Sequence, residues 1–179
     1  MLTLSFYKIN PDVQMPTYGT GMSACFDLRF CPTELKVKGF DEWNYPCERV
    51  LNTNRKLSVF PGDRLMLPTG LIFKLEFQSN SAREDIMKRY SIRVHARSGL
   101  SLKKGLTLVN AEGVIDLDYQ QEIFVLMTNK SKAIAEIDFN ERIAQAEVVR
   151  NEEVFMHELY HAPEAHGERD GGFGSTGSV

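Results

Sequence analysis

Two aspartates two residues apart, Asp116 and Asp118, lie in the segment NAEGVIDLDYQQE at 110–122. On an extended strand or a tight hairpin, side chains at that spacing share a face. Paired carboxylates so placed suit a general base or the handling of Mg2+ through its water shell. The same residues also make an ordinary Asp-rich turn, and Tyr119 fits either as core filler or as a platform for a sugar or base.

A second constellation is RSGLSLKKG at 97–105, with a guanidinium, two hydroxyls, a glycine and two lysines directly after a strand-like run. If a short helix begins at Ser98, its backbone N–H groups favour an anion and Arg97 adds charge-assisted bonds, which makes a phosphate site. A capped turn with a solvated basic face accounts for the same residues.

The string HELYH at 157–161 matches H-E-x-x-H, which on a helix sets two zinc-binding histidines one turn apart. Pro163 stops a helix just beyond the second histidine, and Glu164 stands where the longer metzincin pattern needs glycine. The match therefore reads as coincidence in a strand or linker. The tail GFGSTG lacks the Gly-Lys-Ser/Thr ending of a Walker A loop. Five glycines fall within residues 167–179, too many for a helix or a regular strand. That segment reads as an arm, either a frayed end or a phosphate-wrapping lid built from N–H groups and the hydroxyls of Ser175 and Thr176.

The elements that must hold these residues are short strands. Runs rich in β-branched and aromatic residues occur at 2–7, 64–75, 91–97, 122–128 and 142–149, punctuated by turn signals such as Pro61-Gly62. They predict an all-β sandwich or jelly roll. One helix is predicted at 81–90, where Ser81 and Glu84 form a capping box. Residues 34–56 are charged and aperiodic and predict a surface excursion more than a core strand.

With 179 residues, 42% hydrophobic and 25% charged, the chain predicts one globular domain over 1–179. A net charge of −3 gives no reason to expect nucleic acid as a partner. No apolar run approaches the roughly 20 residues of a membrane helix, and the start lacks a signal-peptide layout. Cys25, Cys31 and Cys47 have no metal-ligand spacing and read as reduced thiols. A cytoplasmic or otherwise intracellular protein with no membrane partner is expected.

In order, SACFDL (23–28), RSGLSLKKG (97–105), NAEGVIDLDYQQE (110–122), ERIAQ (141–145) and GGFGSTG (171–177) resemble the five motifs of the trimeric dUTPase family. The resemblance implies an all-β, jelly-roll-like dUTPase (β-clip) fold with one short inserted helix. It implies a homotrimer with active sites between subunits, hydrolysing dUTP to dUMP and pyrophosphate by Mg2+-assisted water attack on the α-phosphorus. Segments 34–56 and 77–90 would be insertions, and 163–179 a flexible C-terminal arm.

By the same resemblance Asp116 activates water, Tyr119 lies beneath the deoxyribose, and Asn110, Gly113 and Ile115 hold uracil. Arg97, Ser98, Gly99 and Gln145 contact phosphates, and Asp27 holds waters on the metal. Phe173 stacks on the base, while Arg169, Gly174, Ser175 and Thr176 close over the phosphates. Cys25 and Gln121 replace family glycines, Asn140-Glu141 replaces Gly-Asp, and Arg169 stands one residue closer to Phe173 than usual. A dCTP deaminase shares the fold and parts of the second and fourth motifs, but the VIDLDY hairpin and GFGSTG arm favour dUTPase. A regulatory binding protein on the same scaffold is the reading from a different class.

Overall fold

The computed structural model describes residues 2–77 and 89–164. Among them the chain forms strands β1 (Leu2–Lys8), β2 (Phe26–Arg29), β3 (Lys36–Phe40), β4 (Pro46–Val50), β5 (Leu57–Val59), β6 (Arg64–Pro68), β7 (Leu71–Phe77) and β8 (Tyr90–Ala96). Helix α1 (Ser98–Lys104) follows, then β9 (Leu106–Leu108), β10 (Glu112–Ile115), β11 (Phe124–Asn129), β12 (Ala135–Ile137) and β13 (Arg142–Arg150).

Two sheets dominate, one ordered β10-β8-β13-β2 and the other β4-β3-β6-β11-β9; β1 pairs with β7 and β12 with β5. Strand alternation sets their faces. Phe26 and Leu28, Ile92 and Val94, and Ala144 and Ala146 turn inward from the four-stranded sheet. Leu65 and Leu67, and Val125 and Met127, turn inward from the five-stranded one. They merge with Leu106, Ile123, Ile137 and Ile143 into one contiguous apolar core. The architecture is the nearly all-β one expected from the short-strand pattern.

Two expectations change. The run 64–75 divides between two sheets, because Gly70 turns the chain at φ +68 in a spot where a Cβ would stand 2.4 Å from Val13 Cγ2. Residues 34–56 do lie mostly at the surface, but β3 and β4 order them into a regular hairpin at the edge of the five-stranded sheet. Arg49 anchors that hairpin through two bonds of 2.6 and 2.7 Å to the buried Asp63 carboxylate. Removing one partner of such a buried pair costs about 3–5 kcal/mol. The helix expected over 81–90 lies outside the described residues, except that Tyr90 opens β8. The C-terminal arm from 165 onward also lies outside them.

Candidate active site

Helix α1 begins at Ser98, as the RSG sequence leads one to expect. Arg97 precedes it in extended conformation, Lys103 and Lys104 occupy its last turn, and Gly105 closes it with an N–H bond to the Ser101 carbonyl. Ser98 and Gly99 are exposed at its start.

Beside them lies a recess lined by Ser23, Cys25, Asp27, Arg97, Arg142 and Gln145. Cross-strand register gathers these residues, for Gln145 on β13 is paired with Asp27 on one side and with His95 on the other. Arg97 Nε lies 3.1 Å from Asp27 Oδ1, and Arg142 Nη1 donates to Asp27 Oδ2 at 3.1 Å. Arg97 also donates to the Arg142 carbonyl at 3.1 Å, and Gln145 Nε2 to the Ala96 carbonyl at 3.2 Å. Two guanidiniums around one carboxylate leave the recess net positive, which suits phosphate oxygens. Sequence reasoning passes over Arg142; its signal is an outward position on the strand that ERIAQ opens.

The Asp116 hairpin forms a different recess, lined by Ile115, Asp116, Asp118, Tyr119, Met66 and Leu126 among others. The Tyr119 N–H donates to the Asp116 carbonyl at 3.2 Å and its hydroxyl to the Glu122 carbonyl at 2.9 Å. Both bonds brace the turn from which the carboxylate projects. Asn110 stands at the turn into β10, before Ala111 at φ +57. A Cβ on Gly113 would stand 3.1 Å from Val94 Cβ and 3.7 Å from Asn110 Nδ2, so glycine keeps the space beside that amide clear. Thus Asp27, Arg97 and Gln145 share one recess, while Ile115, Asp116 and Tyr119 share another. Arg169, Phe173, Gly174, Ser175 and Thr176 lie outside the described residues.

Asn140, Glu141 and Gln121, three of the departures from the motif pattern, are accommodated locally. Asn140 adopts φ +63, a left-handed conformation that asparagine tolerates better than most residues. Glu141 accepts from Lys104 Nζ at 2.6 Å and from the Asp138 N–H at 2.9 Å. Gln121 is not among the residues with positive φ, so the hairpin backbone accepts its side chain. Glu122 Oε1 accepts the Gly70 N–H at 2.7 Å; burial pushes its carboxyl above the ordinary value, with that bond acting in opposition.

His157 and His161 are exposed on a stretch with neither helix nor strand. Without a helical turn between them, H-E-x-x-H does not preorganise a zinc site. Among the described residues no helix is long and apolar enough to cross a membrane.

A dUTPase family profile matches residues 51–177. The deoxyuridine 5'-triphosphate nucleotidohydrolase of Nautilia profundicola is 35% identical over 180 residues, covering 98% of this chain and 99% of that one. The protein of the same name from Chlamydia trachomatis serovar L2 is 33% identical over 172 residues, covering 96% and 97%. In fold, the dUTPase of Staphylococcus bacteriophage 80alpha with dUPNHPP aligns at a TM-score of 0.68 and 17% identity, covering 98% of this chain and 99% of that one. The Streptococcus mutans dUTPase aligns at 0.57 and 22%, covering 84% and 98%. Near-full-length identity at this level, with the family profile spanning the hairpin, helix α1 and β13, settles descent: the chain belongs to the dUTPase family.

Proposed function

We propose that the protein hydrolyses dUTP to dUMP and pyrophosphate by water attack on the α-phosphorus, keeping uracil out of DNA and supplying dUMP for dTMP synthesis. The observation that carries this reading is the division of one chemical inventory between two recesses. The Asp27–Arg97–Gln145 recess has the charge for phosphates, and the Asp116–Tyr119 hairpin has a carboxylate and an aromatic ring for water and sugar. A complete site then needs the recess of one subunit to face the hairpin of another.

Exposed apolar side chains beside the hairpin support that assembly. Met66 and Leu126 are cross-strand partners on the outer face of the five-stranded sheet. Both line the hairpin recess and also a neighbouring groove with Phe40, Cys47 and Val109. Such a patch is suited to a subunit contact, and a homotrimer with three shared sites is the proposed form.

In this assignment Asp116 accepts the proton of the attacking water, and Tyr119 packs beneath the deoxyribose. Asn110 with the backbone at Gly113 and Ile115 holds uracil. Arg97, Ser98, Gly99 and Gln145 orient the phosphates, which is the main task in phosphoryl chemistry. Phe173 would cover the base, with Arg169, Gly174, Ser175 and Thr176 over the phosphates.

The donor set fits an Mg2+ carried by substrate. Among the described residues the only cluster of three ligating side chains is Cys25–His95–Glu147, whose thiol and imidazole do not suit a hard oxygen-seeking ion. Asp27 would reach the metal's water shell, and bound Mg2+ would neutralise charge on the triphosphate. A solved relative from phage phi11, aligned at a TM-score of 0.61, coordinates a structural Mg(II) ion.

The test is a nucleotide panel with product analysis in Mg2+. Pyrophosphate and dUMP from dUTP, without ammonia from dCTP, are expected. Ammonia from dCTP would move the chain to the deaminases, and no product from dUTP would remove the enzyme reading.

A further inference from the structure

The face of the four-stranded sheet that carries Asp27, Arg97 and Gln145 continues beyond them. Period-two alternation puts His95 and Glu147 on that same face, two residues from Arg97 and Gln145, and Cys25 lies in the bend two residues before Asp27. Antiparallel register then brings His95 on β8 and Glu147 on β13 together, and the bend that leads into β2 brings Cys25 up to them. Their ligating atoms all lie within 4.8 Å of one another.

We propose that Cys25, His95 and Glu147 bind a borderline-soft divalent ion of the Zn2+ class, at a site separate from any Mg2+ that arrives with nucleotide. His95 Nε2 lies 3.1 Å from Glu147 Oε1. Tetrahedral zinc with mixed sulfur, nitrogen and oxygen ligands needs ligand separations of about 3.3–3.6 Å, so the three atoms would draw together on binding. The second imidazole nitrogen, Nδ1, lies 3.6 Å from Glu112 Oε1, and Arg93 holds the other Glu112 oxygen at 3.0 Å. A carboxylate behind a histidine fixes the ring and raises its basicity toward a metal. Thiolate, imidazole and one carboxylate select Zn2+ over Mg2+ by softness. Three protein ligands leave a fourth position for water. A simple ion-pair ladder accounts for His95 between two glutamates, but it gives no part to the thiol at the same point. Cys25 also lines the phosphate recess, so the ion would sit at its margin.

The experiment titrates the full chain with Co2+ alone as spectroscopic probe, then adds Zn2+ or excess Mg2+. One equivalent per chain is expected, with a thiolate-to-cobalt charge-transfer band that Zn2+ removes and Mg2+ leaves. Cys25→Gly should abolish the band, and His95→Gln, which retains a donor toward Glu147, should lose stoichiometric binding while keeping the unliganded fold by circular dichroism. Glu112→Ala should weaken Co2+ binding about 10- to 100-fold. Cys47→Ser and a double His157→Ala, His161→Ala variant should match wild type. Absence of stoichiometric binding, a band that survives Cys25→Gly, or loss of binding in the His157/His161 variant would each overturn the proposal. None of these readouts depends on dUTP turnover.

Discussion

Arg97 Nε lies 3.1 Å from Asp27 Oδ1, with Arg142 Nη1 at the same distance from Oδ2, so both oxygens of the carboxylate already face cations. If Asp27 serves the water shell of Mg2+, it must share itself between two guanidiniums and the incoming ion. Asp27→Asn keeps the shape and removes the charge. It should raise the Mg2+ concentration for half-maximal activity and lower kcat/KM by about 10- to 100-fold, the span for an outer-shell metal contact. A Mg2+ titration of steady-state pyrophosphate release checks this, and an unchanged Mg2+ requirement would detach Asp27 from the metal.

Asp116→Asn should fold and bind nucleotide as wild type does, yet turn over about 10²- to 10⁴-fold more slowly, as expected for loss of a general base. Binding of a non-hydrolysable dUTP analogue, measured beside kcat, separates the two effects. Wild-type kcat in this variant would place the base elsewhere.

Asn140 occupies the left-handed region at φ +63, and its Oδ1 accepts from Cys31 Sγ at 2.9 Å. Asn140→Ala and Asn140→Gly both lose that contact, so their difference isolates the backbone. The alanine variant should be less stable than the glycine variant by about 1–2 kcal/mol in urea unfolding.

Burial raises the Glu122 carboxyl above the ordinary glutamate value. A raised acid favours its neutral form in the folded state, so its contribution to stability is complete below the unfolded value and is lost as pH rises through the folded one. Glu122→Gln keeps an acceptor for the Gly70 N–H and removes that loss. As pH rises from about 4, the ordinary glutamate value, through the raised folded one, the melting temperature of wild type should fall relative to the variant. Parallel curves would show that Glu122 is not the group responsible.

Much of this was legible in sequence because period-two alternation is explicit where a strand has one buried face. Val94 and Ala146 point inward, while His95, Gln145 and Glu147 point outward. The β3–β4 hairpin was hidden for the opposite reason. Val37 is the only fully buried residue in either strand, so Lys36–Phe40 and Pro46–Val50 show no apolar periodicity. Leu106–Leu108 and Ala135–Ile137, at three residues each, are too short to show any period. The Cys25–His95–Glu147 cluster has no spacing signature, since His95 and Glu147 are 52 residues apart and only strand register unites them. The same holds for the division of the candidate site, where five motifs in order give no hint of which recess each residue lines.

The reaction itself is tested most directly by turning over dUTP in water enriched in heavy oxygen and weighing both products. Water attack on the α-phosphorus predicts one heavy oxygen in dUMP and none in pyrophosphate. Label in pyrophosphate, or dUTP recovered unreacted, would contradict the account.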